Sequence, residues 1–278
     1  MPPRSTSLSA GGPRAAKAGA SRPARAAAVG LPPRERFPDE FEDILTPRGR
    51  HLLGGSDPLC GALADPRTRF VVAHDLVDER KATRLRGLLD RHLLAALETI
   101  DRPIPPESIW EMTEDYAETL PKAARVGTIY FDSARERGAR VARETGLTTM
   151  LRSASFTAFA TALAGRALAP GHGIQALCYR AGDYSGPHNA HHPENPRARG
   201  GYLDVHLSLA SPMVAHQWLV YARAGHFTEI AQVAGGDCGA GTITAYRLPF
   251  WHQVTPLVAR RGCEAGARRW VLLGTFLY

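Results

Sequence analysis

The chain has 278 residues, 44% of them hydrophobic, and a mean hydropathy of -0.22, which is typical of a soluble globular protein of one domain or slightly more. It holds no run of about 18 apolar residues, so the sequence excludes a transmembrane helix and no membrane partner is expected. Six basic residues and no acidic one lie in residues 1–34 and account for most of the net charge of +7. The rest of the chain is nearly neutral, which disfavours nucleic acid as a partner.

Residues 1–35 are predicted to be a disordered, basic tail rich in alanine and proline, because this composition supplies too little apolar surface for a core. An arginine-rich, acid-poor composition is also found in transit peptides, but Pro2 and Pro3 disfavour the amphipathic helix of such a peptide. Four scattered cysteines without a C-x-x-C pair favour free thiols in a reducing compartment. The expected location is therefore the cytoplasm.

Residues 36–170 are predicted to be a helical region that packs on the remainder of the chain. Asp75 is a candidate N-cap for a helix whose apolar residues recur at helical spacing up to Ile100, and Pro103 ends it. A second helix is predicted from Leu147 to Leu168. Two short strands are predicted in the same region, Phe70–Ala73 and Thr128–Phe131.

After residue 170 the pattern changes to short apolar segments separated by turn residues, which predicts about seven or eight strands. Within Gly201–Leu209, leucine and valine alternate with Asp204, His206 and Ser208, so one face of that strand is apolar and the other polar. The pattern indicates an α+β protein in which residues 171–278 form a closed or double-sheet β core with helices outside it. The predicted strands are Ile174–Arg180, Gly201–Leu209, Gln217–Tyr221, Phe227–Val233, Thr242–Arg247, Gln253–Val258 and Trp270–Phe276.

The segment from Tyr179 to Ala190 carries the residues around which a site is predicted. Tyr179 stands nine residues before His188, and Ala190 follows His188 at the spacing that places two strand side chains on one face. His252 opens a later His-x-Val-x-Pro segment, and Arg269 lies near the start of the last predicted strand. Imidazole suits Fe(II), and a planar guanidinium binds a carboxylate through two parallel hydrogen bonds.

This ordered set resembles the iron(II)/2-oxoglutarate-dependent oxygenase superfamily, and in particular its prolyl-hydroxylase-like members. The resemblance covers residues 171–278 and implies a double-stranded β-helix core of the jelly-roll or cupin-like kind. It also implies that His188 and His252 bind the iron and that Tyr179 faces the cosubstrate 2-oxoglutarate.

The resemblance further implies that an arginine near the chain end pairs with the distal carboxylate of 2-oxoglutarate. Two adjacent residues, Arg268 and Arg269, are candidates for this role. Counting back along the closing strand from Phe276 favours Arg269.

Ala190 departs from the superfamily, which carries Asp or Glu two residues after the first histidine. Three alternatives follow. In the first, chloride takes the vacated position on the iron, as in the halogenases of the superfamily, which have His-x-Ala or His-x-Gly; chloride then replaces both the ligand and its charge. In the second, a substitute ligand or water completes a hydroxylase. In the third, the barrel is catalytically degenerate and serves as a binding protein. The candidate substitute ligands are His191, His192, Glu194, Asp204 and His206.

The favoured hypothesis is an oxidative enzyme that acts on an aliphatic C–H bond, with halogenation preferred over hydroxylation because of Ala190. Its implied cofactors are Fe(II) and 2-oxoglutarate, with chloride under the first alternative. Its implied partner is a small-molecule substrate or a group carried by a peptide or carrier protein. Modification of nucleic acid is a weaker hypothesis, because the core carries little net positive charge.

Overall fold

A computed structural model of the chain describes residues 31–102, 123–132, 135–169, 171–188, 201–223, 226–249 and 251–278. Residues 31–278 cluster as one compact unit. Residues 1–30 of the predicted tail lie outside the described residues. The helices are α1 (Pro47–Leu53), α2 (Glu79–His92), α3 (Arg137–Glu144), α4 (Leu147–Leu151) and α5 (Ala154–Ala164), with short 3-10 helices at Pro33–Glu35, Phe41–Ile44, Leu94–Ala96 and Gly236–Cys238. The strands are β1 (Phe70–Ala73), β2 (Glu98–Arg102), β3 (Ala124–Tyr130), β4 (His172–Arg180), β5 (Tyr184–His188), β6 (Tyr202–Ala210), β7 (Val214–Arg223), β8 (His226–Gly235), β9 (Gly241–Leu248), β10 (His252–Val254), β11 (Val258–Ala259) and β12 (Arg268–Leu277).

The strands after residue 171 form two antiparallel layers. One layer has the order β9–β6–β12–β4, and the other has the order β5–β10–β7–β8, with β11 continuing β10 along β7. The core strands can be numbered from β4 as strand one, with β10 and β11 counted together as strand seven. Strands one, eight, three and six then lie in one layer, and strands two, seven, four and five lie in the other. This order defines a double-stranded β-helix, so the predicted α+β fold class with a jelly-roll core is confirmed.

The region predicted to be helical also supplies strands to the same sheet. β3 pairs with both β4 and β5 and so joins the two layers along one side. β1 extends the first layer beyond β9, and β2 pairs with β3. Helices and strands of residues 36–169 therefore both build on the β core.

The helix predicted to run from Asp75 to Ile100 is shorter than expected. Asp78 caps it through a hydrogen bond from the Lys81 N–H to the Asp78 carboxylate (3.0 Å), and the helix ends at His92. Ile100 lies instead in β2, because the β-branched pair Thr99-Ile100 suits a strand and β3 offers a pairing partner. Here tertiary pairing overrides the helical spacing of the apolar residues.

The helix predicted from Leu147 to Leu168 is interrupted. Ser153 adopts an extended conformation, and its hydroxyl accepts the Phe156 N–H (3.2 Å), which ends α4 and starts α5. Gly165, with φ of 66°, ends α5 in the left-handed region. Helix α3 was not predicted, because the charged residues around it obscure its apolar face.

Each predicted strand has a counterpart in the fold, and Gln253–Val258 is split into β10 and β11 around Pro256. Strand β5 was not predicted from pattern because Gly186 and Pro187 interrupt its apolar residues. Its position is nevertheless decisive, since His188 is its last residue.

Two clusters of buried apolar residues show which way the side chains of the core strands point. The first lies between the helices and the β9–β6–β12–β4 layer, and it contains the alternate residues of β6 that were predicted to be apolar: Leu203, Val205, Leu207 and Leu209. Phe156 of α5 packs so closely on this layer that a Cβ at Gly274 would lie 2.6 Å from its ring, so glycine is required there. The second cluster lies between the two layers and includes Tyr179 and Tyr246. The polar residues of β6 therefore face the barrel interior.

Within the described residues, no helix combines the length and the apolar character needed to span a membrane.

Candidate metal and anion site

Two histidines meet at the end of β5 and the start of β10. His188 and His252 are paired residues of these neighbouring antiparallel strands, and their ring centroids lie 4.1 Å apart. His252 is buried, whereas His188 is partly exposed. His252 also pairs with Tyr221 near the end of β7. We call the end of the barrel at which His188, His252 and Tyr221 lie the mouth. The sequence-predicted pair is thus brought together by strand register.

A backbone contact fixes the tautomer of His188. Its Nδ1 lies 2.7 Å from the carbonyl oxygen of Gly186. A carbonyl can only accept a hydrogen bond, so Nδ1 carries the proton and the Nε2 lone pair of the neutral ring is the one suited to a metal. Metal-bound histidines commonly donate their second ring N–H to a backbone carbonyl in this way.

A tyrosine contacts both the histidine pair and a second polar pair of the interior. Tyr246 of β9 stacks on His252 with a centroid distance of 5.3 Å, and His206 approaches the Tyr246 ring edge-on at 4.6 Å. His206 Nε2 lies 3.8 Å from the carboxylate of Asp204. Asp204 and His206 therefore lie close to each other, and Tyr246 contacts both His206 and His252.

The remaining candidate ligands have a different status. In the part of the chain that the structure describes, no three His, Cys, Asp or Glu side chains group closely enough to hold a metal, so neither Asp204 nor His206 joins the histidine pair. The other sequence-predicted positions lie outside the described residues: Ala190, His191, His192 and Glu194.

The two adjacent arginines of β12 point to opposite faces of the sheet. Arg268 reaches the outer face, where Nη1 lies 3.3 Å from the carboxylate of Asp90 on α2. Trp270, which shares this face, donates to the same carboxylate (2.9 Å). Arg269 points into the barrel and is only 2% exposed. Strand alternation thus assigns the interior position to Arg269.

Arg269 is a buried cation held by neutral groups. Its Nε and Nη2 donate to Ser208 Oγ (3.2 and 2.8 Å), and its Nη1 donates to Gln217 Oε1 (3.0 Å). Its guanidinium carbon lies 5.5 Å from the ring centroid of Tyr179. Among the described residues, no carboxylate forms an ion pair with Arg269. Burial lowers the pKa of Arg269, but guanidinium groups stay protonated in proteins, so the interior holds a positive charge that no carboxylate of the described residues neutralises.

Tyr179 lies beside this cation on the neighbouring strand. Arg269 and Tyr179 are paired residues of β12 and β4, and the Tyr179 hydroxyl lies 2.9 Å from Ser185 Oγ. Burial raises the pKa of Tyr179 and raises the pKa of Tyr246 to about 12. Both phenols are therefore neutral hydrogen-bonding groups at physiological pH.

Two residues that hold Arg269 are not identified by the sequence pattern. Alternation places Ser208 on the polar face of its strand, and in the structure that face is interior. Gln217 reaches Arg269 across the barrel, between residues 52 apart in sequence. No local sequence signal reports such a contact, because it arises only when the two layers close on each other.

The residues present fit an iron and an anion. The mouth offers two imidazoles with one metal-binding nitrogen defined by hydrogen bonding, and imidazole is a suitable ligand for Fe(II). The buried guanidinium calls for an anionic partner, since an isolated charge in a protein interior is strongly unfavourable. Gln217, which contacts Arg269, lies roughly 13 Å along β7 from Tyr221, which pairs with His252. The guanidinium and the histidine pair therefore lie at different depths of one barrel.

A separate cavity lies away from these residues. It has a volume of about 520 Å³ and is bounded by the segment around Phe37 and by Lys81, Arg84 and Leu85 of α2. It contains none of the sequence-predicted site residues, so we assign it no part in the chemistry.

Comparison with solved structures finds proteins with a similar fold. A prolyl-4-hydroxylase from Pseudomonas putida is 14% identical with a TM-score of 0.41, over 82% of this chain and 98% of that one. EvdO2 from Micromonospora carbonacea var. aurantiaca is 13% identical with a TM-score of 0.45, over 77% and 89%. A nickel complex of the non-heme monooxygenase ThoJ is 11% identical with a TM-score of 0.42, over 77% and 76%. No protein-family model or curated protein matches the chain.

Proposed function

We propose that the protein is an iron(II)/2-oxoglutarate-dependent enzyme that oxidises an aliphatic C–H bond, and that it favours halogenation over hydroxylation. The observation that carries the proposal is the interior charge of Arg269, which is 2% exposed and bonded only to neutral side chains within the described residues. A dicarboxylate cosubstrate supplies the missing negative charge. The histidine pair at the mouth of the same barrel supplies ligands for the metal that such a cosubstrate chelates.

Each site residue has one role in this proposal. His188 and His252 hold the iron, and the hydrogen bond to Gly186 orients the His188 ring. Arg269 pairs with the distal carboxylate of 2-oxoglutarate, and the Tyr179 hydroxyl donates a hydrogen bond to the cosubstrate. When bound, iron and 2-oxoglutarate supply the activation of dioxygen that attack on a C–H bond requires. The buried interior keeps water away from the guanidinium, which strengthens its attraction for a carboxylate.

The preference for halogenation rests on Ala190, two residues after His188 in the sequence. Alanine offers no ligand, so a bound iron would keep one position open to chloride, and chloride would restore the negative charge that a carboxylate would have brought. Within the described residues, Asp204 and His206 do not group with the histidine pair closely enough to hold a metal, which argues against these two as substitute ligands. A hydroxylase completed by another ligand, and a degenerate barrel that serves as a binding protein, are the alternatives that experiment must distinguish.

The substrate is proposed to be a small molecule or a group presented by a peptide or carrier protein. It enters at the mouth, where Phe70 packs between Tyr221 and Tyr246 with centroid distances of 5.1 and 5.3 Å. This aromatic wall suits an apolar group held next to the histidine pair.

The proposal is tested by anaerobic reconstitution with Fe(II) and 2-oxoglutarate, followed by measurement of the metal-to-cosubstrate charge-transfer absorption with and without chloride. A band that shifts or strengthens with chloride supports halogenation. A band that ignores chloride favours the hydroxylase alternative. A wild-type protein that gives no band contradicts the enzyme proposal and favours the binding protein.

Replacement of either histidine is expected to remove the metal. We expect His188→Ala and His252→Ala each to lower Fe(II) affinity by at least about 100-fold, because each removes one of only two protein ligands that the described residues provide. His216→Ala is the matched control, since His216 packs against Trp218 away from the pair and its loss should leave iron stoichiometry unchanged. Metal content after dialysis, together with titration under anaerobic conditions, makes the measurement. Full retention of iron by His188→Ala would show that the ligand assignment is wrong.

A further inference from the structure

Gln217 has an unusual position between the buried cation and the strands that carry the histidines. Its side chain is fully buried, and its amide nitrogen donates to the carbonyl oxygens of Thr255 (2.9 Å) and Asp183 (3.4 Å). A carbonyl only accepts, so these two contacts force the amide oxygen to face Arg269, whose Nη1 lies 3.0 Å away. The orientation of this amide is therefore determined by its surroundings.

The two carbonyls that hold Gln217 flank the histidine strands. Asp183 directly precedes β5, which ends at His188, and Thr255 directly follows β10, which begins at His252. One side chain of β7 thus connects the guanidinium of one layer to both histidine strands of the other. Movement of Gln217 would change the position of Arg269 relative to the histidine pair.

The hydrogen bonds of Arg269 also limit what it can bind. A guanidinium has five N–H donors, and three of them are used by Ser208 and Gln217. Within the described residues, one N–H on each terminal nitrogen remains for a ligand. Two donors from one planar group match the two oxygens of a carboxylate.

Neutrality is the second property that Gln217 contributes. A glutamate could accept the same hydrogen bond from Arg269, but it would neutralise the cation and could not donate to the carbonyls of Thr255 and Asp183. The amide holds the guanidinium without cancelling its charge, so the full charge is available to an incoming anion. The neighbouring Ser208 hydroxyl has the same effect.

We propose that Gln217 is a positioning and specificity-determining residue, which orients Arg269 and keeps it uncompensated so that the site selects a 2-oxo acid with a second, distal carboxylate. This inference rests on the proposed function, because it concerns the cosubstrate end of that site. Gln217 acts through Arg269 and is not itself a catalytic residue.

The test compares 2-oxoglutarate with pyruvate, which has the chelating 2-oxo acid group but no distal carboxylate. Both are titrated into the full chain loaded with Mn(II), and affinity is measured by calorimetry. Wild type should bind 2-oxoglutarate at least about 100-fold more tightly than pyruvate. In Gln217→Glu, affinity for 2-oxoglutarate should fall to the level of pyruvate, and affinity for pyruvate should stay as in wild type. A merely structural role would not produce this selective loss.

Two further variants keep the result interpretable. Gln217→Met removes the acceptor without adding charge, and it should weaken 2-oxoglutarate binding by about tenfold while preserving part of the preference over pyruvate. Gln232→Glu makes the same chemical change on β8, where the side chain donates to the backbone of Ala234, and it should change neither affinity. Thermal melting of each variant reports whether it is folded.

The outcomes separate the inference from the proposed function. Wild type that binds neither acid overturns the proposed function and the inference with it. Wild type that binds 2-oxoglutarate selectively, together with a Gln217→Glu variant that does the same, overturns the inference alone. Equal loss of both acids in folded Gln217→Glu also overturns it, because it would show general damage to the site.

Discussion

Replacing Arg269 with methionine is expected to abolish selective binding of 2-oxoglutarate without weakening the fold. The guanidinium is buried among Ser208, Gln217 and Tyr179, and loss of a buried, charge-assisted pair with a ligand lowers affinity by about 100-fold or more. Calorimetric titration of the Mn(II)-loaded protein measures this loss. Pyruvate affinity should be unchanged, because pyruvate does not reach the guanidinium.

The stability of the same variant distinguishes a ligand-binding cation from a structural one. A buried charge with no ionic partner among the described residues carries a desolvation penalty, and removing it offsets the cost of leaving the Gln217 amide oxygen without its donor. We therefore expect Arg269→Met to have a free energy of unfolding close to that of wild type, measured by denaturant unfolding without cosubstrate. With 2-oxoglutarate at about 100 times its Kd, wild type alone should gain about 2.7 kcal/mol.

Arg268 provides the control for Arg269. It lies one residue earlier on the same strand, but its side chain is on the outer face and contacts Asp90. Arg268→Met should keep wild-type affinity for 2-oxoglutarate and lose a small amount of stability, since ion pairs that remain partly exposed to solvent contribute about 0–1 kcal/mol. The assignment of the interior cation would be wrong if Arg268→Met lost binding and Arg269→Met retained it.

The sequence predicted the β core well because strand alternation is a local signal. The alternation of Leu203, Val205, Leu207 and Leu209 with polar residues defined the two faces of β6, and the structure buries the apolar set beneath the helices. The opposite directions of the Arg268 and Arg269 side chains likewise follow from alternation along β12. Such features can be predicted from a few consecutive residues.

Features that depend on tertiary pairing were predicted less well. The helix ending at His92 rather than near Ile100 reflects the pairing of β2 with β3, which no local pattern reports. The contact between Gln217 and Arg269 spans both layers of the barrel, and its importance appears only when the carbonyls of Asp183 and Thr255 are placed beside it. Long-range geometry of this kind requires the assembled fold.

Of the substitutions proposed for this protein, Ala190→Asp is expected to change the chemistry of the site most. Ala190→Asp places a carboxylate two residues after His188, at the spacing with which a strand directs two side chains to one metal. The new ligand would bring the negative charge that chloride supplies in the proposed halogenase, so chloride should lose its effect on the charge-transfer absorption. Fe(II) affinity should rise by at least about tenfold, because a third protein ligand with a charge is added.

Ala190→Asn separates the charge of the new ligand from its size. Asparagine has nearly the shape of aspartate but no charge, so it should leave chloride dependence largely in place. Absorption spectra of the anaerobic Fe(II) and 2-oxoglutarate complex, recorded over a chloride titration, compare the three proteins directly. If chloride alters wild type and Ala190→Asp equally, the halide does not occupy the position next to His188 and the proposed preference for halogenation fails. If chloride alters wild type and Ala190→Asn but not Ala190→Asp, the iron of this barrel takes either a carboxylate or a halide at one position, and residue 190 decides which.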